Sequence, residues 1–303
     1  VSLRQIVTIL GGDLYQNGLR ANVPAPGHGK ADRSVSLLLD GGRVVIHTFG
    51  AADWREVRDD LRRRGLIDPG GRLMGVAHTP DRPAIDHRRR REVASALWQD
   101  GVRPARTGMV ARHLAVRGVA WREDLDDLLE HPRAPLSVYQ PGRRAGRAMM
   151  TGIRSPSGDL TAVELTYLAT NGQVASGLSV PRKTVGQVPP GSAVRLRPAA
   201  ARMLVAEGVV TTLSAMDRFN LPGWALMSAG NLSRWRPPHQ VSRVLIAGDR
   251  GEAGEIAAMR LARQLQRDGV EAILAFPPRP FGDWTEAARD HQKAGKEGRG
   301  RAP

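Results

Sequence analysis

Residues 202–230 read RMLVAEGVVTTLSAMDRFNLPGWALMSAG. RMLVAEG is a short apolar run closed by an acid, VTTLSAM carries its apolar residues at helical spacing, and GWALMSAG is a second short apolar run. The alternation continues toward the C-terminus. RVLIAGD at 243–249 reads as a strand, and EAGEIAAMRLARQLQRDG at 252–269 as a helix with Ile256, Met259, Leu261 and Leu265 on its apolar side. EAILAFPP at 271–278 reads as a closing strand. Apolar strands separated by helices predict a parallel α/β sheet.

In such sheets functional groups collect at the carboxyl ends of the strands. Glu207 closes LVAEG, Asp249 closes VLIAGD, and Asp283 follows the last strand in FGDWTE. Carboxylates that converge repel and raise one another's pKa until a cation neutralises them. A hard divalent ion such as Mg²⁺ suits these oxygen donors and also holds phosphates. A plainer reading stands beside this one: each acid caps the helix that follows it, as Asp249 would do well. VLIAGDRGEAG can also be read as a nucleotide-binding strand–turn–helix. Its glycines miss the G-x-G-x-x-G spacing, however, and Asp249 would repel a pyrophosphate there.

The segments LVAEGVVTTLSAM, LPGWALMSAGNL, RVLIAGDRGEAG and GDW resemble the Toprim domain, most closely that of primase-like proteins of plasmids, phages and integrative elements. The likeness covers nearly all of residues 199–285. It implies that Glu207 serves acid/base or metal-assisted nucleotidyl transfer, with Asp249 and Asp283 as metal positions for Mg²⁺ or Mn²⁺. Where the family has a second Asp two positions after Asp249, this chain has Gly251, and the adjacent Glu252 is the candidate substitute.

The N-terminal segment VPAPGHGKADRSVSLLLDGGRVVIHTFGAADWREV resembles the zinc ribbon with which such primases begin. The chain has no cysteine, which excludes disulfides, thiolate metal sites and thiol catalysis. In the resemblance Ala25 or Val23, Thr48 and Ala52 stand at the cysteine positions, and His28 is a relic ligand position. One imidazole, even with His47 nearby, cannot close a tetrahedral site, so no zinc is expected. The predicted unit then rests on Leu37, Leu39, Val45, Ile46, Phe49, Trp54 and Leu61. SVSLLLDGGRVVIHTF is a hairpin around Asp-Gly-Gly, followed by a helix from about Asp53 to Arg64.

Between the two ends, AMMTGIR and LTAVELTYL flank SPSGD as another hairpin, after helices beginning near Glu92 and Thr107. ALWQDGVRPARTGMVARHLAVRGV, GIRSPSGDLTAVELTYL and PRKTVGQ resemble the middle region of the same primases. The resemblance marks Arg154, Arg182 and Lys183 as phosphate-binding candidates, with Lys30, Arg33 and Arg43 in the N-terminal unit touching DNA. For any single Arg in so basic a chain, a solvated face is the simpler reading.

The expected fold class is α/β, α+β overall. The expected organisation is a degenerate zinc-ribbon-like domain at 1–66, a basic linker at 67–92 containing HRRRR, a helical pair plus β-rich domain at 93–198, a Toprim domain at 199–285 and a basic disordered tail at 286–303. The net charge of +15 favours a polyanionic partner. Single-stranded DNA, nucleoside triphosphates and a replicative helicase are the partners implied. No membrane segment or leader is apparent, so a cytoplasmic protein is expected. The readings carried forward are a primase-type nucleotidyltransferase, a non-catalytic DNA-binding replication factor with a degenerate Toprim site, and a Toprim nuclease.

Overall fold

A computed structural model describes residues 1–15, 18–49, 52–74, 87–139, 142–178 and 180–299. The chain divides into two compact units, Val1–Asp86 and His87–Pro303.

The first unit opens with α1 (Leu3–Leu10), whose N-terminus is closed by a reciprocal pair: the Ser2 side chain accepts from Gln5 and the Gln5 side chain accepts from Ser2. Strands β1 (Asp13–Tyr15), β2 (Arg20–Val23), β3 (Val35–Asp40) and β4 (Arg43–Thr48) then form an antiparallel sheet in chain order. The predicted hairpin is β3–β4, with Asp40 paired to Arg43 and positive φ at Gly41 and Gly42, the conformation this tight turn requires. Helix α2 (Trp54–Arg63) is capped by the Asp53 carboxylate. Leu3, Ile6, Val23, Val35, Leu37, Val57 and Leu61 fill the core.

Three expected core residues lie outside it: Val45, Phe49 and Trp54 are 45%, 52% and 41% exposed. Outward residues of β4 alternate with buried ones, so Val44 packs inward while Val45 does not. The Phe49 ring stands edge-on to His47, and the guanidiniums of Arg55 and Arg58 cover Trp54 at 4.9 and 5.2 Å. The unit also extends past residue 66. Leu66, Ile67 and Leu73 are buried in its core, and Arg72 bridges to Arg43. Residues 75–86 of the expected linker lie outside the described residues. HRRRR, expected to close that linker, instead forms the first turns of a helix.

That helix, α3 (His87–Gln99), begins the second unit and lays Ala94 and Leu97 on an antiparallel sheet of β5 (Leu128–Pro135), β6 (Ala145–Arg154), β7 (Leu160–Tyr167) and β8 (Arg182–Gly186). Helix α4 (Met109–Val116) lies between α3 and that sheet in the chain. The remaining strands are β9 (Val194–Arg195), β10 (Arg202–Ala206), β11 (Gly223–Ala225), β12 (Arg243–Ala247) and β13 (Glu271–Ala275). Their spatial order is β13-β12-β10-β11-β9, with every pairing parallel except β11 with β9. Helices α5 (Val209–Phe219), α6 (Ala229–Leu232), α7 (Glu252–Arg267) and α8 (Trp284–Arg299) connect and cover this sheet. The fold is mixed α+β with the expected parallel α/β sheet at its C-terminal end.

The two faces of that sheet are buried against separate cores. Leu204, Ala206, Leu213 and Met216 lie in one; Met203, Val205, Ile246, Leu261 and Leu265 lie in the other. The buried stripe of α7 is Ala257, Ala258, Leu261, Ala262 and Leu265, which leaves Ile256 and Met259 exposed, contrary to the sequence reading. Alanines let the helix backbone approach the sheet more closely than the larger side chains would. The tail expected to be disordered from residue 286 is helical to Arg299, because α8 is anchored at its start by Trp284, edge-on to Phe219 at 5.0 Å. Among the described residues no helix is long and apolar enough to cross a membrane.

Candidate functional site: a carboxylate cluster at the strand ends

Strands β10 and β12 are parallel neighbours, and their last residues, Ala206 and Ala247, are paired. The chain leaves β10 through Glu207 and turns at once into α5; it leaves β12 through Gly248 and Asp249. A Cβ on Gly248 would come within 2.6 Å of the Phe276 ring, so glycine is the residue that lets this turn pass. The two acids therefore emerge side by side at the carboxyl edge of the sheet.

Asp283 reaches the same edge from α8. Its Oδ1 accepts the Glu286 N–H at 2.7 Å, and Glu286 Oε2 accepts the Gly282 N–H at 2.7 Å. Gly282 in turn receives the Arg250 N–H on its carbonyl at 2.7 Å, tying the Asp249 turn to the start of α8. The capping reading is thus correct for Asp283. For Asp249 it is not: α7 has Gly251 at its N-cap and no side-chain cap, and Asp249 Oδ1 is buried with no hydrogen-bond partner among the described residues.

The electrostatics follow from this crowding. Burial, then the charges of Glu207, Asp283 and Glu286, push the Asp249 carboxyl up to about 7. Burial also raises the Glu207 carboxyl, while the backbone N–H of Ala229 opposes that shift by donating to it. The charges of Glu207 and Asp283 thus both act on Asp249, and so does that of Glu286, which the sequence reading missed. The signal for it was the spacing of three between Asp283 and Glu286, a helix-capping pattern.

Glu252, the candidate substitute for the missing Asp, is exposed in the first turn of α7 and is not among the charges acting on Asp249. Gly251 itself has φ 115°, a conformation L side chains rarely adopt, so a side chain at this position would strain the turn.

Arg117 interacts electrostatically with two of these acids, Asp283 and Glu286. Arg117, the C-cap of α4, is half-buried, and its Nε has no partner among the described residues. Burial lowers its pKa; attraction to Asp283 and Glu286 opposes that, and Arg182 and Arg289 add repulsion. Arg182 lies 3.9 Å from Glu164 and is exposed. The other expected phosphate binders are committed elsewhere. Arg154 is paired with buried Asp127 at 2.7 Å and also donates to the Gly158 carbonyl. Lys183, adjacent to Arg182 on β8 and so on the other face, donates to the Leu136 carbonyl at 2.7 Å and lies over Tyr167.

In the first unit Arg33 pairs with Asp13 at 2.7 Å, and Lys30 is exposed. His28 Nδ1 is 3.1 Å from Asp32, whose carboxylate also accepts from the Ala25 N–H and from the Ser34 N–H and hydroxyl. A carboxylate knot thus joins the loop where the resemblance would put a metal.

Among the described residues no three His, Cys, Asp or Glu side chains are grouped to enclose a metal ion. One or two carboxylates suffice for Mg²⁺, which completes its shell with water and phosphate oxygens. Asp249, with an unpartnered buried oxygen amid like charges, is the residue such an ion would relieve.

A family model of the Toprim domain matches residues 202–295, and one of a domain of unknown function, DUF7146, matches residues 88–196. No curated protein matches the chain. Among solved structures the chain is similar to the Aquifex aeolicus primase zinc-binding and RNA polymerase domains, at 11% identity and TM-score 0.45, over 97% of this chain and 82% of that one. It is similar to the primase fragment of the bacteriophage T7 primase-helicase at 15% identity and TM-score 0.41, over 90% and 96%. A DnaG primase catalytic domain bound to single-stranded DNA follows at 14% identity and TM-score 0.42, over 70% and 79%.

Proposed function

We propose that this chain, whose residues 202–295 form a Toprim domain, is a primase-like protein that binds single-stranded DNA and joins nucleotides at the carboxylate edge of its parallel sheet. The observation that carries the reading is the buried Asp249 oxygen, without a hydrogen-bond partner among the described residues, under the charges of Glu207, Asp283 and Glu286, with Arg117 attracted to the last two. Asp249, with Glu207 or Asp283, would hold Mg²⁺ or Mn²⁺, which when bound neutralises the carboxylates and polarises a phosphoryl group. Glu207, its carboxyl raised by burial, accepts the proton of an attacking 3′-hydroxyl. The new bond joins that oxygen to the α-phosphorus of a nucleoside triphosphate, and pyrophosphate leaves. Arg117 and Arg182 supply positive charge for the triphosphate oxygens. A net charge of +15 supports a nucleic-acid template. A replicative helicase partner and a cytoplasmic setting belong to the same proposal.

A second reading, a DNA-binding replication factor without catalysis, is favoured by one observation: Gly251, where the resemblance expects a second Asp, has φ 115°, and Glu252 is exposed and not among the charges acting on Asp249. Labelled nucleotide incorporation on a single-stranded template, with Mg²⁺ or Mn²⁺, separates the two. Primers made by the wild type and lost in Glu207→Gln support the first. DNA binding without product leaves the second, and product that survives Glu207→Gln removes Glu207 from the chemistry.

A further inference from the structure

The carboxylates occupy one end of the parallel strands. At the other end lies a cavity of about 880 Å³, within the range of small-ligand sites. Its walls come from the segments that enter β10 and β12, from β9, and from the β6–β7 turn. Nothing in the proposed nucleotidyl transfer uses it.

The floor of this cavity carries more positive than negative charge. Asp127, 1% exposed, accepts Arg154 Nε on one oxygen at 2.7 Å and the Arg195 backbone N–H on the other at 3.0 Å. Its charge also attracts the Arg195 guanidinium, but that guanidinium makes no ion pair among the described residues, so one carboxylate serves two arginines. That guanidinium donates to the Ser155 and Pro156 carbonyls at 2.8 and 3.1 Å and lies 4.6 Å over the Trp224 ring. Its Nε is buried with no partner among the described residues. Arg103, also in the lining, donates to the Leu125 carbonyl and makes no ion pair among the described residues. At the mouth, Arg197 and Arg236 are held by exposed carboxylates, Asp124 and Asp268, in surface pairs of the kind an incoming anion displaces cheaply. Asp126 is the opposing charge in the lining.

Guanidiniums bound only to carbonyls, with a donor left unsatisfied, are matched by an acceptor-only tetrahedral anion. We infer that this cavity is a second anion site that takes phosphate groups on Arg195 and Arg103, apart from the carboxylate edge. The phosphate could come from a free nucleoside polyphosphate or from the backbone of a DNA strand.

The test is calorimetric titration of the full chain in metal-free buffer with pyrophosphate, with ATP and with a short oligodeoxynucleotide. Binding should weaken about tenfold in Arg103→Gln, the loss of one charge-assisted hydrogen bond. It should tighten about threefold in Asp126→Asn, which removes a like charge from the lining. Both arginine and aspartate sites are exposed, so these variants keep the fold. That pattern with pyrophosphate and ATP identifies a free nucleotide; the same pattern with the oligonucleotide alone identifies the backbone. No binding of any probe at millimolar concentration, or binding indifferent to both Arg103→Gln and Asp126→Asn, overturns the inference.

Discussion

Asp249 and Glu207 follow paired ends of adjacent parallel strands, and the charge of Glu207 helps to raise the Asp249 carboxyl to about 7. Two acids placed this way cost stability unless something positive lies between or beside them. The predictions below turn on which positive group that is.

Asp249→Asn should stabilise the metal-free protein. A carboxyl whose folded pKa is raised costs stability once the pH exceeds its ordinary value, and the full cost is reached above the folded value of about 7. Near neutral pH the gain should be at most about 4 kcal/mol, for a carboxyl raised from 3.8 to about 7. Thermal melts should also show that Mg²⁺ raises the Tm of the wild type and not of the variant.

Glu286 plays two parts that substitution can separate. Glu286→Gln keeps an oxygen for the Gly282 N–H and removes the charge; Glu286→Ala removes both. The alanine variant should lose about 1 kcal/mol, as for a lost helix cap, with the glutamine variant close to wild type in stability. Both should bind Mn²⁺ more weakly. Chemical denaturation and Mn²⁺ titration check the two parts.

Arg117→Ala should raise the KM for nucleoside triphosphate about tenfold, the effect of one charge-assisted contact, with affinity for a DNA oligonucleotide nearly unchanged. Steady-state kinetics beside fluorescence anisotropy measures both. Equal losses in the two would place Arg117 on the template path instead.

In the N-terminal unit the Asp32 carboxylate ties Ala25 and Ser34 together. Hydrogen bonds from Ser34, first, and Ala25 lower its carboxyl to about 2. A lowered carboxyl stabilises the fold above its ordinary value of 3.8, and that contribution disappears as the pH falls toward about 2. Amide exchange at Ala25 and Ser34 should therefore speed up over that window, and at neutral pH in Asp32→Asn. A chelator should leave both amides as they were.

Much of this site was legible in the sequence because parallel strands announce themselves. An apolar run closed by an acid fixed both β10 with Glu207 and β12 with Asp249. Glu286 was not legible, since its part depends on α8 returning to the strand ends. Arg154 and Lys183 read as free cations because nothing in a sequence shows that Asp127 and the Leu136 carbonyl already hold them. Val45, Phe49 and Trp54 were misplaced for a related reason: an apolar residue on a strand or helix does not reveal which face is covered. The tail read as disordered from its polar composition, whereas Trp284 and Phe219 anchor it as a helix.

The central claim, that the strand-end carboxylates hold a divalent cation, is tested most directly by Mn²⁺ binding followed by electron paramagnetic resonance, in the presence of a nucleoside triphosphate. The wild type should bind Mn²⁺ at one site or more, and Asp249→Asn should weaken that binding at least about tenfold, the loss of a charged ligand. Mn²⁺ binding equal in wild type and Asp249→Asn would contradict the account.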